Sequence, residues 1–244
     1  MSRMIPHLLL VATLTIAASD AAAATEYIRD GDFSQGPFKR NEVAIDVHIS
    51  SISHASDSGD PPLFWTIEVA PDKDILWVEG GNQFIPAPDG QKFLDLTGLT
   101  DTQPFGGVRQ SISGLVPGHT YQVSLNLGTN TDRDEFAGPI AVEVRVESGS
   151  TTVTHPCQSN PSKDTHVHWE PCTFKFVANA PDTAIHITGT QGKRFIGLDD
   201  VSMTYVSPIP DWVRQFVVVI LILAVGLIAW LLFLLGRSKR RIAS

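Results

Sequence analysis

Two cysteines and three histidines crowd one stretch of this chain. Cys157 and Cys172 are its only cysteines, and His155, His166 and His168 lie beside or between them. Two chemistries fit those residue types. An exported domain with two cysteines forms a disulfide by default. Such a bond would staple the loop between the strands around Val142 and Phe174, contributing on the order of 3 kcal/mol in the loop-entropy description. The competing chemistry is zinc, which takes Cys and His at tetrahedral geometry. The spacing matches no standard zinc finger, so the disulfide is the favoured reading.

A second set could recognise sugar. Sugars present an apolar C–H face that packs on aromatic rings, with polar groups alongside for the hydroxyls. Phe64, Trp65, Trp77, Phe84 and Trp169 are the rings to consider. Trp77 in Ile75-Leu76-Trp77-Val78 and Trp65 in Phe-Trp-Thr-Ile-Glu-Val are the expected ligand-binding residues, and Trp169 is expected in the core. Enzymatic motifs are missing: the chain has no Gly-x-Ser-x-Gly, no His-Glu-x-x-His and no P-loop. Acidic residues are plentiful enough for a glycosidase carboxylate pair, but no spacing singles one out.

The elements that must position these residues read as strands. Tyr121, Val123, Leu125 and Leu127 alternate with polar residues, as do Phe174 and Phe176, and Val201, Met203 and Tyr205, while Ile140, Val142, Val144 and Val146 alternate with Ala141, Glu143 and Arg145. Period-two alternation marks half-buried antiparallel strands. Pro117-Gly118, Gly138-Pro139, Glu147 to Ser150 and Ala180 to Asp182 supply the turns. Gln110 shares a face with Val108 and Ile112, which makes it a buried amide in need of partners. Arg40 to Pro62 is less regular and reads in part as a long loop.

Both ends carry targeting signals. Arg3, the apolar run Leu8 to Ala18 and the small residues Ala22-Ala23-Ala24 have the form of a cleavable secretory signal. Gln215 to Gly236 is uncharged and apolar, long enough at about 1.5 Å per residue to reach roughly 30 Å. Arg237, Lys239, Arg240 and Arg241 follow, and such a cluster stays cytoplasmic. Pro208-Ile209-Pro210 sits where the recognition motif of a bacterial sorting signal would lie, but a permanent single-span anchor is the preferred reading. Between Thr25 and Asp211 there are 12 Lys and Arg against 25 Asp and Glu, a net charge of −13. That balance argues against nucleic acid and anionic lipid headgroups as partners.

Four stretches together resemble a known family. They are Asp30-Gly31-Asp32-Phe33, the run Asp89 to Gly98, the run Gly106 to Tyr121 with its Pro-Gly-x-Thr-Tyr ending, and Gly197-Leu198-Asp199-Asp200-Val201-Ser202. Their order and spacing are similar to galactose-binding-like jelly rolls of the DUF642 / choice-of-anchor type, which are related to carbohydrate-binding modules. The resemblance covers most of Asp30 to Val206. It implies that the first and last strands lie side by side and hold a structural calcium, here through Asp30, Asp32 and Asp199 or Asp200. Ser34 stands where the family pattern has Glu, which removes one expected oxygen. The alternative is that Asp199 and Asp200 only bond backbone amides near a strand end.

The expected fold is all-β: a jelly-roll β-sandwich ectodomain plus one C-terminal transmembrane α-helix. Residues 1–24 are read as signal peptide, 25–207 as the sandwich, 208–214 as stalk, 215–236 as the transmembrane helix and 237–244 as a basic cytoplasmic tail. The expected function is a noncatalytic, membrane-anchored, extracytoplasmic module that binds carbohydrate or cell-envelope glycan, with no nucleic-acid partner. The alternatives are a structural or adhesive surface protein without a small ligand, and a glycoside hydrolase.

Overall fold

Alternating sequences can bury one face only by stacking sheets, and the computed structural model shows two. It describes residues 25–36, 41–44, 47–52, 64–79, 92–130, 134–160, 169–208, 213, 216–228 and 230. Twelve strands are found among them: β1 Asn41–Ala44, β2 Val47–Ile52, β3 Thr66–Glu68, β4 Ile75–Glu79, β5 Lys92–Asp95, β6 Gly107–Ile112, β7 Thr120–Gly128, β8 Ile140–Ser148, β9 Thr151–Ser159, β10 Trp169–Val177, β11 Thr183–Gln191 and β12 Gly197–Tyr205. One sheet has the order β1-β2-β4-β5-β12-β7-β10, the other β3-β6-β11-β8-β9. The pairings are antiparallel. This all-β two-sheet sandwich fits a jelly roll.

The core follows the alternation. Tyr121, Val123, Leu125 and Leu127 of β7 and Val142, Val144 and Val146 of β8 are buried between the sheets with Leu94, Leu96, Ile185, Ile187 and Met203. Gln110 is buried as expected: its side chain accepts from the Arg29 N–H and donates to the Arg29 carbonyl, each at 2.8 Å. That pair ties the N-terminal segment to β6. The same segment bridges to β12 at Glu26 and Thr204, filling the place beside β12 that β5 leaves.

Two expectations change. The stretch expected as a loop between the Val142 and Phe174 strands contains β9, which tolerates Pro156 because it is an edge strand. The irregular stretch Arg40 to Pro62 contains β1 and β2. Of the C-terminal apolar run, residues 216–228 and 230 are described and helical, as is 213 before it. Among the described residues no helix is long and apolar enough to cross a membrane. The signal segment, the basic tail, Phe84, His166 and His168 lie outside the described residues.

Candidate functional site

The seven-stranded sheet carries apolar side chains on both faces over part of its width. Ile75 and Trp77 of β4 point into the sandwich, so Leu76 and Val78 point out. On that outer face they join Phe93 of β5 in a second apolar cluster, with Trp169 and Phe195 packed against it.

Trp169 is the centre of this surface. It opens β10 and pairs with Gly128 of β7, which pairs in turn with Gly197 of β12. A Cβ at Gly128 would come within 2.5 Å of the indole, and one at Gly197 within 2.9 Å. The ring therefore lies across two positions that only glycine leaves open. Phe93 meets it edge-on at 5.4 Å, Phe195 packs on Phe93 at 5.8 Å, and Phe136 packs on Phe195 at 6.4 Å. Trp169, Phe195 and Phe136 are half-buried.

Polar groups follow along the same face. Asn126 Nδ2 donates to Asp200 Oδ2 at 2.8 Å, and the Ser124 and Ser202 hydroxyls bond at 2.7 Å. Aromatic rings beside amide, hydroxyl and carboxylate groups offer both things a sugar needs: an apolar surface for its C–H face and hydrogen-bonding groups for its hydroxyls. Gly128 at the end of β7 and Gly197 at the start of β12 are the sequence signal that could have pointed to this site.

Trp77 and Trp65 do not form the expected platform. Both are buried, at 0% and 3% exposure. Trp77 Nε1 donates to the Phe33 carbonyl at 2.9 Å, and Trp65 Nε1 to the Asp30 carbonyl at 2.8 Å. Both indoles thus clamp the N-terminal segment from inside, and neither offers a face to a ligand. Trp169, expected in the core, lies on the outer face instead.

The four aspartates of the expected calcium site come from segments that do meet. The Val201 N–H bonds the Gly31 carbonyl at 3.0 Å, and a Cβ on Gly31 would fall 1.8 Å from the Val201 oxygen. A bulge between Asp199 and Ser202 puts Asp200 in the left-handed region, at φ 50°, and Asp30 is there too, at φ 53°. Asp30 Oδ1 accepts the Gln35 N–H at 2.9 Å, while its buried Oδ2 has no hydrogen-bond partner. Burial pushes the Asp30 carboxyl up to about 7, opposed by the Gln35 N–H and reinforced by the Asp32 charge. A hard cation at Oδ2 would meet an oxygen that lacks a partner, so Asp30 fits a calcium ligand. The others are partly engaged. Asp32 Oδ1 accepts from Ser34, Asp199 Oδ1 accepts the Asp200 N–H, and Asp200 Oδ2 accepts from Asn126.

The cysteines form the expected disulfide, Cys157 to Cys172, with 5.8 Å between Cα atoms. It joins β9, the edge of one sheet, to β10, the edge of the other. His155, Cys157 and Cys172 are the one group of three metal-ligating side chains with mutual spacing under 4.8 Å among the described residues.

The outer face of the five-stranded sheet is charged. Buried His186 meets the Glu68 carboxylate through Nδ1 at 2.8 Å, and its Nε2 lies 3.4 Å from Glu147. Arg145 bonds Glu147 at 3.1 Å. Both Glu68 and Glu147 are thus engaged by cationic or imidazole groups.

No protein-family model matches the chain, and no curated protein does. Solved structures do resemble it. One is the N-terminal endo-1,4-β-D-xylanase 10B modules of Clostridium thermocellum complexed with xylohexaose: 16% identity, 60% of this chain, 27% of that chain, TM-score 0.41. Another is the CBM22-1 xylan-binding domain from Paenibacillus barcinonensis Xyn10C: 14% identity, 66% of this chain, 94% of that one, TM-score 0.40. A third is an arabinose-bound α-L-arabinofuranosidase: 12% identity, 76% of this chain, 27% of that one, TM-score 0.45.

Proposed function

We propose that this chain is a noncatalytic carbohydrate-binding sandwich whose ligand surface is the outer face of the seven-stranded sheet around Trp169. The observation that carries the reading is the Trp169 indole laid across Gly128 and Gly197, flanked by Phe93 and continued by Asn126 and Asp200. The sequence resemblance to DUF642 / choice-of-anchor jelly rolls supports the same class. An ectodomain charge of −13 favours neutral glycans over polyanionic ones. Export and a C-terminal membrane tether remain part of the proposal, supported by the signal-like N-terminus, the uncharged run 215–236 and the basic residues after it. A structural calcium at Asp30 is a further part of the proposal, supported by its unpartnered Oδ2 and by the meeting of its segment with β12; recruiting Asp32 and Asp199 or Asp200 requires these carboxylates to draw together, since no three of them lie within 4.8 Å of one another.

The test is a polysaccharide pull-down with the full chain and its Trp169→Ala variant. Xylan and xylohexaose, named for two of the similar structures, are sensible first probes beside cell-envelope glycans. Saturable binding lost in Trp169→Ala, with unchanged circular dichroism, supports the reading. A folded chain that binds no glycan favours a structural or adhesive role, and released reducing ends would indicate a hydrolase.

A further inference from the structure

We propose that His155, Cys157 and Cys172 form a latent site for zinc or another thiophilic divalent metal, opened when the disulfide is reduced. The three ligand atoms already lie within 4.8 Å of one another. Zn–S distances of about 2.3 Å and Zn–N distances of about 2.1 Å put tetrahedral ligand atoms roughly 3.6–3.8 Å apart, so small side-chain rotations suffice. His155 and Cys157 sit two apart on β9 and share a face; Cys172 and Phe174 do the same on β10.

The imidazole is held in place. It stacks on the Phe174 ring at 4.6 Å, with 16° between planes. Its ring nitrogens lie at the edge of that stack. The two strands belong to different sheets and are held by the surrounding core, including Val142, Val144, Leu125 and Phe174. Losing the covalent bond therefore leaves both sulfurs facing the same space.

Opening the site needs a dithiol reductant. Its thiolate attacks the sulfur of Cys172, the less buried of the pair, forming a mixed disulfide and releasing Cys157 as thiolate. The second thiol of the reductant breaks the mixed disulfide and frees Cys172, so the reductant leaves as its own disulfide. Two electrons and two protons have then entered the protein. Metal binding displaces the two thiol protons and gives a Cys₂His set, with the fourth position open to water. The site couples reducing conditions to metal capture where the edge strands of the two sheets meet.

The test titrates Co(II), a spectroscopic stand-in for zinc, into the full chain. The chain is used oxidised and after reduction with a dithiol that is removed under anaerobic conditions before the titration. The expected result is about one equivalent bound only by the reduced chain, with a thiolate-to-metal charge-transfer band and tetrahedral d–d bands. His155→Ala should weaken binding at least tenfold. Zinc should raise the Tm of the reduced wild type but not of that variant. Should His155→Ala lose its fold by circular dichroism, His155→Phe keeps a ring on Phe174 without the ligand nitrogen, and the same contrast is read there. A reduced, folded chain with no thiolate band overturns the proposal. So does a folded histidine variant that titrates like wild type.

Discussion

The Trp77 indole nitrogen lies 2.9 Å from the Phe33 carbonyl oxygen, and both residues are completely buried. The bond crosses from β4 to the N-terminal segment. It satisfies one buried donor and one buried acceptor at once. Trp77→Phe leaves that carbonyl without its donor and should cost about 1–3 kcal/mol. Trp77→Ala also removes the ring and should cost about 3–5 kcal/mol. Urea unfolding of the two variants checks this. Glycan affinity of the folded fraction should not change, because the ring faces inward.

Trp169 should behave in the opposite way. Trp169→Ala removes a half-buried ring from the outer face, and glycan binding should weaken at least about tenfold, roughly 1.4 kcal/mol. Gly128→Ala makes a sharper test. Its Cβ would stand 2.5 Å from the indole and must displace it. Binding should fall in Gly128→Ala although every aromatic residue is still present. Isothermal titration with the glycan that the pull-down selects would measure both.

The contrast between these tryptophans shows what the sequence could convey. Alternation in Tyr121 to Leu127 and in Ile140 to Val146 placed those strands and their buried faces correctly, because their other faces are polar apart from Ala141. Ile75 to Val78 is apolar on both faces, since a second cluster lies on the outside, so period two could not say which way Trp77 points. β9 was hidden by Pro156 and by its polar, exposed residues. The disulfide needed only the cysteine count, and the buried role of Gln110 followed from its neighbours. The meeting of Gly31 with Val201 depends on contacts between opposite ends of the domain, which local patterns do not encode.

Asp95 predicts a pH dependence. Its Oδ1 accepts from the Thr97 N–H at 3.0 Å, the Thr97 hydroxyl at 2.9 Å and the Ile196 N–H at 3.1 Å. Complete burial nonetheless pushes the carboxyl up to about 7, against those bonds. A carboxyl raised on folding holds its proton in the native state while the unfolded chain releases it. This carboxyl's contribution to stability should therefore be fully present below pH 4 and be lost as pH rises to about 7. Asp30, raised to about 7 by burial, acts in the same direction. Asp95→Asn keeps an oxygen at the Oδ1 position and cannot ionise. It should make the decline between pH 4 and pH 7 shallower, measured as urea midpoints across that range.

Asp30 also links stability to calcium. Its unbonded Oδ2 and the Gly31–Val201 hydrogen bond lie where the N-terminal segment meets β12. A cation bound there stabilises only the folded chain, so Tm should rise with free calcium and return on chelation. At a hundredfold excess over Kd the gain is about 2.7 kcal/mol. Asp30→Asn removes the charge while keeping a similar shape, and should abolish the calcium-dependent rise. Because the asparagine no longer buries a carboxyl, its Tm in chelator should equal or exceed that of wild type near pH 7. Differential scanning calorimetry of both chains, with and without calcium, measures the two effects separately. A calcium response that survives in Asp30→Asn would place the ion elsewhere.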